Sequence, residues 1–179
     1  ADLPSGSGGS RLLHGHHEVF ERIEDRLAKF SGAEAALLYG SGYAANIGLL
    51  QAVVSADDLI VSDERNHASL IDGIRLTKAG TSIYPHQDLH ALEAALRRPR
   101  KGRAIVITES VFSMDGDVTP LREVSEVAER LGAALVVDEA HATGLYGPRG
   151  SGCVEELGLR GRVLATIHTG GKALGSGGA

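Results

Sequence analysis

Six short apolar runs, each followed by a turn and most by an amphipathic helical pattern, divide nearly the whole chain, and this alternation restricts the fold more than any other feature. The runs are "AALLYG" (35–40), "LIVSD" (59–63), "TSIYPH" (81–86), "AIVITE" (104–109), "ALVVD" (134–138) and "VLATIH" (163–168). Alternating strand and helix signals specify stacked strand–helix–strand units with a mainly parallel sheet. Several runs are nearly continuous in Val, Ile, Leu and Ala, so both sheet faces need cover. The expected class is α/β, a three-layer α/β/α arrangement.

The helical patterns have readable ends. Val19, Phe20, Ile23, Leu27 and Phe30 recur at helical spacing, with Gly32 placed to end the helix. Asp88 is the expected N-cap of "LHALEAAL". Thr119 is the expected cap of "PLREVSEVAERLG", with Pro120 in the first helical position and Gly132 after the last turn.

Charge and composition narrow the possible partners. A formal net charge of −5 over 179 residues leaves no nucleic-acid footprint, and the basic stretch "RRPRKGR" (97–103) reads as a connector. A single cysteine, Cys153, fits a reducing compartment. No apolar run approaches the roughly 18 residues of a membrane span, and "ADLPSGSGGS" lacks a charged and apolar leader. A soluble, cytoplasmic chain with no membrane or nucleic-acid partner is expected. The histidines of "LLHGHH" (12–17) lack metal-site spacing, so no metal is assigned.

Ligands of open parallel sheets sit beyond the carboxyl ends of the strands. That rule gathers Ser41 and Gly42, His67, Glu109 to Ser113, Asp138 and His141, and Thr169 to Lys172 on one rim. Asp138, at the mouth of an apolar strand, needs a cationic partner or acts as a turn cap. Lys172 lies in "TGGKALG", where partial burial would lower its pKa and make the amine nucleophilic; otherwise it is a surface lysine. It is not a phosphate-loop lysine, since Thr166 and Ala173 occupy positions that motif reserves for Gly and for Ser or Thr. The turn "YGSGYAAN" opens a helix at Gly42 and Tyr43, either as an anion seat or as a plain structural turn. His67 could stack on a flat ligand or simply start a helix. Taken together, a carboxylate, a histidine, an anion seat and a Gly-flanked lysine form an apparatus for pyridoxal phosphate (PLP).

The motifs "GSGGSR", "SGYAAN", "NHASL", "TESVFSMDGD", "DEAHATGLYG" and "HTGGKALG", in this order, resemble the alpha-oxoamine synthases, a branch of the fold-type I PLP-dependent transferases. The resemblance implies that Lys172 binds the cofactor covalently and moves the substrate's α-proton. It places Asp138 at the pyridine nitrogen, His141 at the ring oxygen and His67 on the ring face. Gly42 and Tyr43 would hold the phosphate by backbone amides, with Thr169 adding its hydroxyl. Ser113 would contact the cofactor, and Glu109 would support the site from behind. The implied reaction joins an amino acid, L-alanine, to an acyl thioester, pimeloyl on coenzyme A or acyl carrier protein, with loss of carbon dioxide. Glycine with an acetyl thioester is the alternative pair, and a homodimer is implied.

Against the family pattern, residues 1–179 read as part of the large domain, without an N-terminal arm, the last sheet strand or the C-terminal domain. The arginine that binds the substrate carboxylate in that last domain has no counterpart, so these residues alone are expected not to turn over substrate. A non-catalytic piece that binds cofactor or a partner chain is the alternative of a different class. The missing strand would separate 35–40 from 163–168, so "AALLYG" is expected to be loose rather than paired with that run.

Overall fold

The computed structural model describes residues 6–179, so half of the "ADLPSGSGGS" stretch lies outside the described residues. Two compact units divide at Leu38 and Tyr39.

The first unit is built on helix α1 (Glu18–Ser31), which ends as expected at Gly32 with φ 70°. Glu24 organises its polar side. Its carboxylate takes two hydrogen bonds from the Arg11 guanidinium at 2.6 and 2.9 Å and a third from the Leu38 N–H at 2.7 Å. These donors hold the Glu24 carboxyl below the usual range. His16 of the histidine cluster is within 2.9 Å of Glu21.

The second unit carries a five-stranded parallel sheet of order β2-β1-β3-β4-β5. The strands are β1 (Leu59–Asp63), β2 (Gly80–Tyr84), β3 (Ala104–Glu109), β4 (Ala133–Asp138) and β5 (Ala165–Ile167). Helices α2 (Gly42–Val53), α3 (Ala68–Thr77), α4 (Leu89–Leu96), α5 (Leu121–Arg130) and the short α6 (Cys153–Glu156) connect them. Strand side chains alternate between faces. Ile60, Ile105, Ile107, Val136 and Ile167 pack with Leu50 of α2 and with Leu70 and Ile74 of α3. Val61, Val106, Leu135 and Val137 face the other way, toward Leu92 and Leu96 of α4 and Leu121 and Val124 of α5. The result is the expected three layers.

Three local expectations are corrected. "AALLYG" is not a strand: its last residues pair only through Tyr39, whose N–H and C=O exchange bonds of 2.7 and 2.9 Å with Ala179. Among the described residues β5 pairs only with β4, and it is three residues long, shorter than "VLATIH", because no second ladder there extends it. Thr119 does not cap α5. Its hydroxyl donates to the Glu109 carbonyl at 2.6 Å, and Pro120 occupies the N-cap position. Asp88 does cap α4, accepting from the Ala91 N–H at 2.9 Å.

The basic connector is structural. Arg98 reaches Ser82, Arg100 donates to the Leu96 and Leu131 carbonyls, and Arg103 binds the Val53 carbonyl and the buried Asp58. Tied in this way, these guanidinium groups act as staples between elements. No helix among the described residues is long and apolar enough to cross a membrane.

Candidate functional site

Because all five strands run parallel, their carboxyl ends deliver side chains to one edge. A cleft of about 320 Å³ lies there. Gly42, Tyr43, His67, Glu109, Asp138, His141, Thr169 and Lys172 all line it. Ser113 does not: it is exposed in the turn between β3 and α5, outside the cleft lining.

Glu109 and Asp138 end β3 and β4 at directly paired positions, so the two carboxyl groups sit side by side on one face. Both are buried. Asp138 Oδ1 accepts from the Ala140 N–H at 2.9 Å and Oδ2 from the Asn46 amide at 2.9 Å. Neither donor is a cation, so the carboxylate retains its capacity for a positively charged ligand. Glu109 accepts from the His67 N–H at 2.6 Å. Burial, reinforced by the neighbouring Asp138 charge, pushes Glu109 up to about 7.

His67 is the N-cap of α3. Its Nδ1 is 3.2 Å from the Ser69 N–H and 2.7 Å from the Ser69 hydroxyl. An amide N–H can only donate, so Nδ1 is the acceptor and the ring proton belongs on Nε2. His141 is half-buried in the turn after β4. Burial, with Lys172 adding to it, holds its pKa below the usual histidine value. His168, which follows β5, bonds Thr143 and Thr166 at 2.9 and 2.8 Å, and enclosure of its ring pushes it down to about 4. Near neutral pH it is therefore uncharged and leaves Asp138 uncompensated.

The expected anion seat would lie where α2 begins. Ser41 Oγ accepts from the Ala44 N–H at 3.2 Å, while the N–H groups of Gly42 and Tyr43 belong to the first turn, which has no partner within the helix. A Cβ at Gly42 would lie 2.6 Å from Thr169 Cγ2, so only glycine lets the start of α2 approach the loop after β5. The Tyr43 hydroxyl donates to Asp72 at 3.1 Å.

Lys172 stands on a loop closed at its base. Gly170 N–H donates to the Gly178 carbonyl at 2.9 Å, Ser176 N–H donates to Gly170 at 2.8 Å, and Gly175 N–H donates to Lys172 at 3.0 Å. The lysine is exposed, the surface placement of the two that the sequence left open, because glycines and Ala173 flank it rather than bulky side chains. It stands on the cleft wall.

Asn46 was not singled out from the sequence. It is buried in α2 and lines the cleft. An asparagine is a weak helix former, and one inside an otherwise apolar helix is a signal that was available in "SGYAAN".

A parallel sheet with a carboxylate, an amine and an anion seat at its carboxyl edge is the architecture of fold-type I PLP-dependent transferases. The chain belongs to the aminotransferase class I and II family, whose profile matches residues 2–179. It is 51% identical over 172 residues to the 8-amino-7-oxononanoate synthase of Mycolicibacterium smegmatis, covering 96% of this chain and 45% of that protein. A serine palmitoyltransferase of Sphingomonas wittichii superposes with TM-score 0.93 at 36% identity, covering 97% of this chain and 44% of the other. A structure described as SPT with PLP gives TM-score 0.92 at 35% identity and the same coverage. The chain thus spans under half the length of these relatives.

Proposed function

We propose that the cleft binds pyridoxal phosphate and that the chain is the cofactor-binding part of an alpha-oxoamine synthase, specifically an 8-amino-7-oxononanoate synthase. In that enzyme L-alanine condenses with a pimeloyl thioester, on coenzyme A or acyl carrier protein, in biotin synthesis. The observation that carries this reading is one cleft lined by a buried carboxylate without a cationic partner, an exposed lysine and two helix-start amides.

These residues fit the group chemically. Asp138 offers a fixed negative charge for the ring nitrogen and keeps it protonated. The Gly42 and Tyr43 amides take the phosphate, with Thr169 beside them. His141, its pKa held low, would present a neutral imidazole to the ring oxygen, and His67 would cover the ring face. Lys172 would hold the cofactor covalently and would move the substrate's α-proton. When bound, the cofactor supplies an electron sink for the carbanion at the amino acid's α-carbon. Glu109 fixes the backbone of His67 through its 2.6 Å bond. Ser113 has no assignment in this cleft. A homodimer follows from the same reading.

Two measurements test it. Added pyridoxal phosphate should give a visible absorbance band, and borohydride reduction should fix the label on Lys172; a label on any other lysine overturns the site. Asp138→Asn should retain the cofactor while lowering turnover in the complete gene product by roughly a hundredfold or more. An unchanged rate removes the role given to Asp138. A substrate panel of alanine with pimeloyl thioesters, glycine with acetyl-coenzyme A and serine with palmitoyl-coenzyme A separates the family members.

A further inference from the structure

Asn46 connects two walls of the cleft through a single nitrogen. Its Nδ2 donates to Asp138 Oδ2 at 2.9 Å and to Ser69 Oγ at 2.8 Å. An ionised carboxylate only accepts, so the amide must present its nitrogen there, and the buried Oδ1 is left without a partner. That orphan is the cost of the arrangement. Ser69 Oγ accepts from Asn46, which leaves its own proton free to point at His67 Nδ1, 2.7 Å away. The helices must be close for this to work: a Cβ at Gly73 of α3 would meet Leu50 of α2 at 2.9 Å.

We propose that Asn46 is a positioning residue whose amide orients the Asp138 carboxylate and, through the Ser69 hydroxyl, reinforces the Nε2–H form of the His67 ring that the Ser69 N–H already favours. A neutral amide suits this task because it directs the carboxylate without cancelling its charge. An arginine or lysine in its place would occupy Asp138 and leave nothing for a cationic ring nitrogen. The proposal rests on the pyridoxal-phosphate reading only for its consequence in cofactor binding; the hydrogen-bonded chain itself exists without cofactor.

The test therefore has two arms. In cofactor-free protein, 15N shifts of the His67 ring should show the Nε2–H tautomer in the wild type and a detectable rise in the Nδ1–H form in Asn46→Leu and Ser69→Ala, where the residue-69 N–H holds Nδ1 without the aligned hydroxyl. In the second arm, pyridoxal phosphate should bind Asn46→Leu and the isosteric Asn46→Asp about tenfold more weakly than wild type or worse, as expected for losing a bond to a charged group. The pH midpoint of the bound cofactor's visible band should also move in Asn46→Asp, where a second carboxyl faces Asp138. An unchanged tautomer in the variants overturns the link to His67, and unchanged affinity and midpoint overturn the orientation of Asp138. If Asn46→Leu does not fold, Ser69→Ala and Asn46→Asp decide the two arms. Wild-type protein that fails to bind pyridoxal phosphate sinks the cofactor reading, while the tautomer arm still judges the relay.

Discussion

Glu109 shows how one residue's surroundings become a measurable pH effect. Its carboxyl is raised from 4.5 to about 7, so the folded state binds a proton more tightly than the unfolded chain does. That contribution is fully present below about pH 4.5 and disappears as pH rises through about 7, an effect on the order of 3 kcal/mol for a buried group. Glu109→Gln keeps an acceptor for the His67 N–H but has no proton to lose. Denaturation midpoints measured from pH 4 to pH 8 should therefore decline for wild type relative to Glu109→Gln. Parallel curves would show that Glu109 ionises normally.

Among the elements, the turn from Ser110 to Thr119 is held by a histidine between two acids. His86 Nδ1 lies 2.9 Å from Asp63, at the end of β1, and Nε2 lies 2.6 Å from Asp117; the ring meets Phe112 edge-on at 4.5 Å. Glu64 accepts from the His86 N–H, Gln87 also binds Asp117, and Arg65 pairs with Asp115 across the same turn. Burial lowers the His86 pKa, but bonds to both carboxylates outweigh it, and the net shift is upward from 6.5. The stabilisation is complete below pH 6.5 and is lost as pH rises through the raised folded value. His86→Gln should cost about 1–3 kcal/mol at pH 6 and less at pH 9, read from urea unfolding. A penalty that grows with pH would contradict the charged-ring account.

These elements also show what the sequence could reveal. β3 was readable residue for residue because "AIVITE" is apolar on both faces and bounded by turns. Asp88 was readable because capping depends only on its own helix. "AALLYG" has the same composition as a strand, yet pairing requires a neighbour, and its only backbone pairing among the described residues is that of Tyr39 with Ala179, at the far end of the sequence. Thr119 misled because its hydroxyl had a competing acceptor in β3, which no local pattern announces. Asp138 and Lys172 were legible through the rule for strand ends, whereas the α2 start reaches the same rim with no strand before it, marked by the glycine turn of "YGSGYAAN". Asn46 acts through contacts with residues 69 and 138, and only the fold brings these together.

At the scale of the whole molecule, one wall of the cleft depends on residues 178 and 179. Gly178 accepts the Gly170 N–H and lines the cleft, while Ala179 exchanges two bonds with Tyr39, just before the anion seat. A chain ending at Gly177 should bind pyridoxal phosphate at least severalfold more weakly and show faster amide exchange at Tyr39 and Gly170. Equal affinity and equal exchange would mean that this wall stands without them. The comparison belongs on otherwise identical chains, because the relatives carry more than twice this length.

The same fastening has a kinetic corollary. With its base pinned by Gly170, Ser176 and Gly178, the segment bearing Lys172 has a fixed pivot, so in the role proposed for it the amine would reach different atoms by torsions of its own four-carbon stem. Such rotations take picoseconds to nanoseconds rather than the microseconds of a travelling loop. Swapping a proton between neighbouring atoms would then never wait on the backbone.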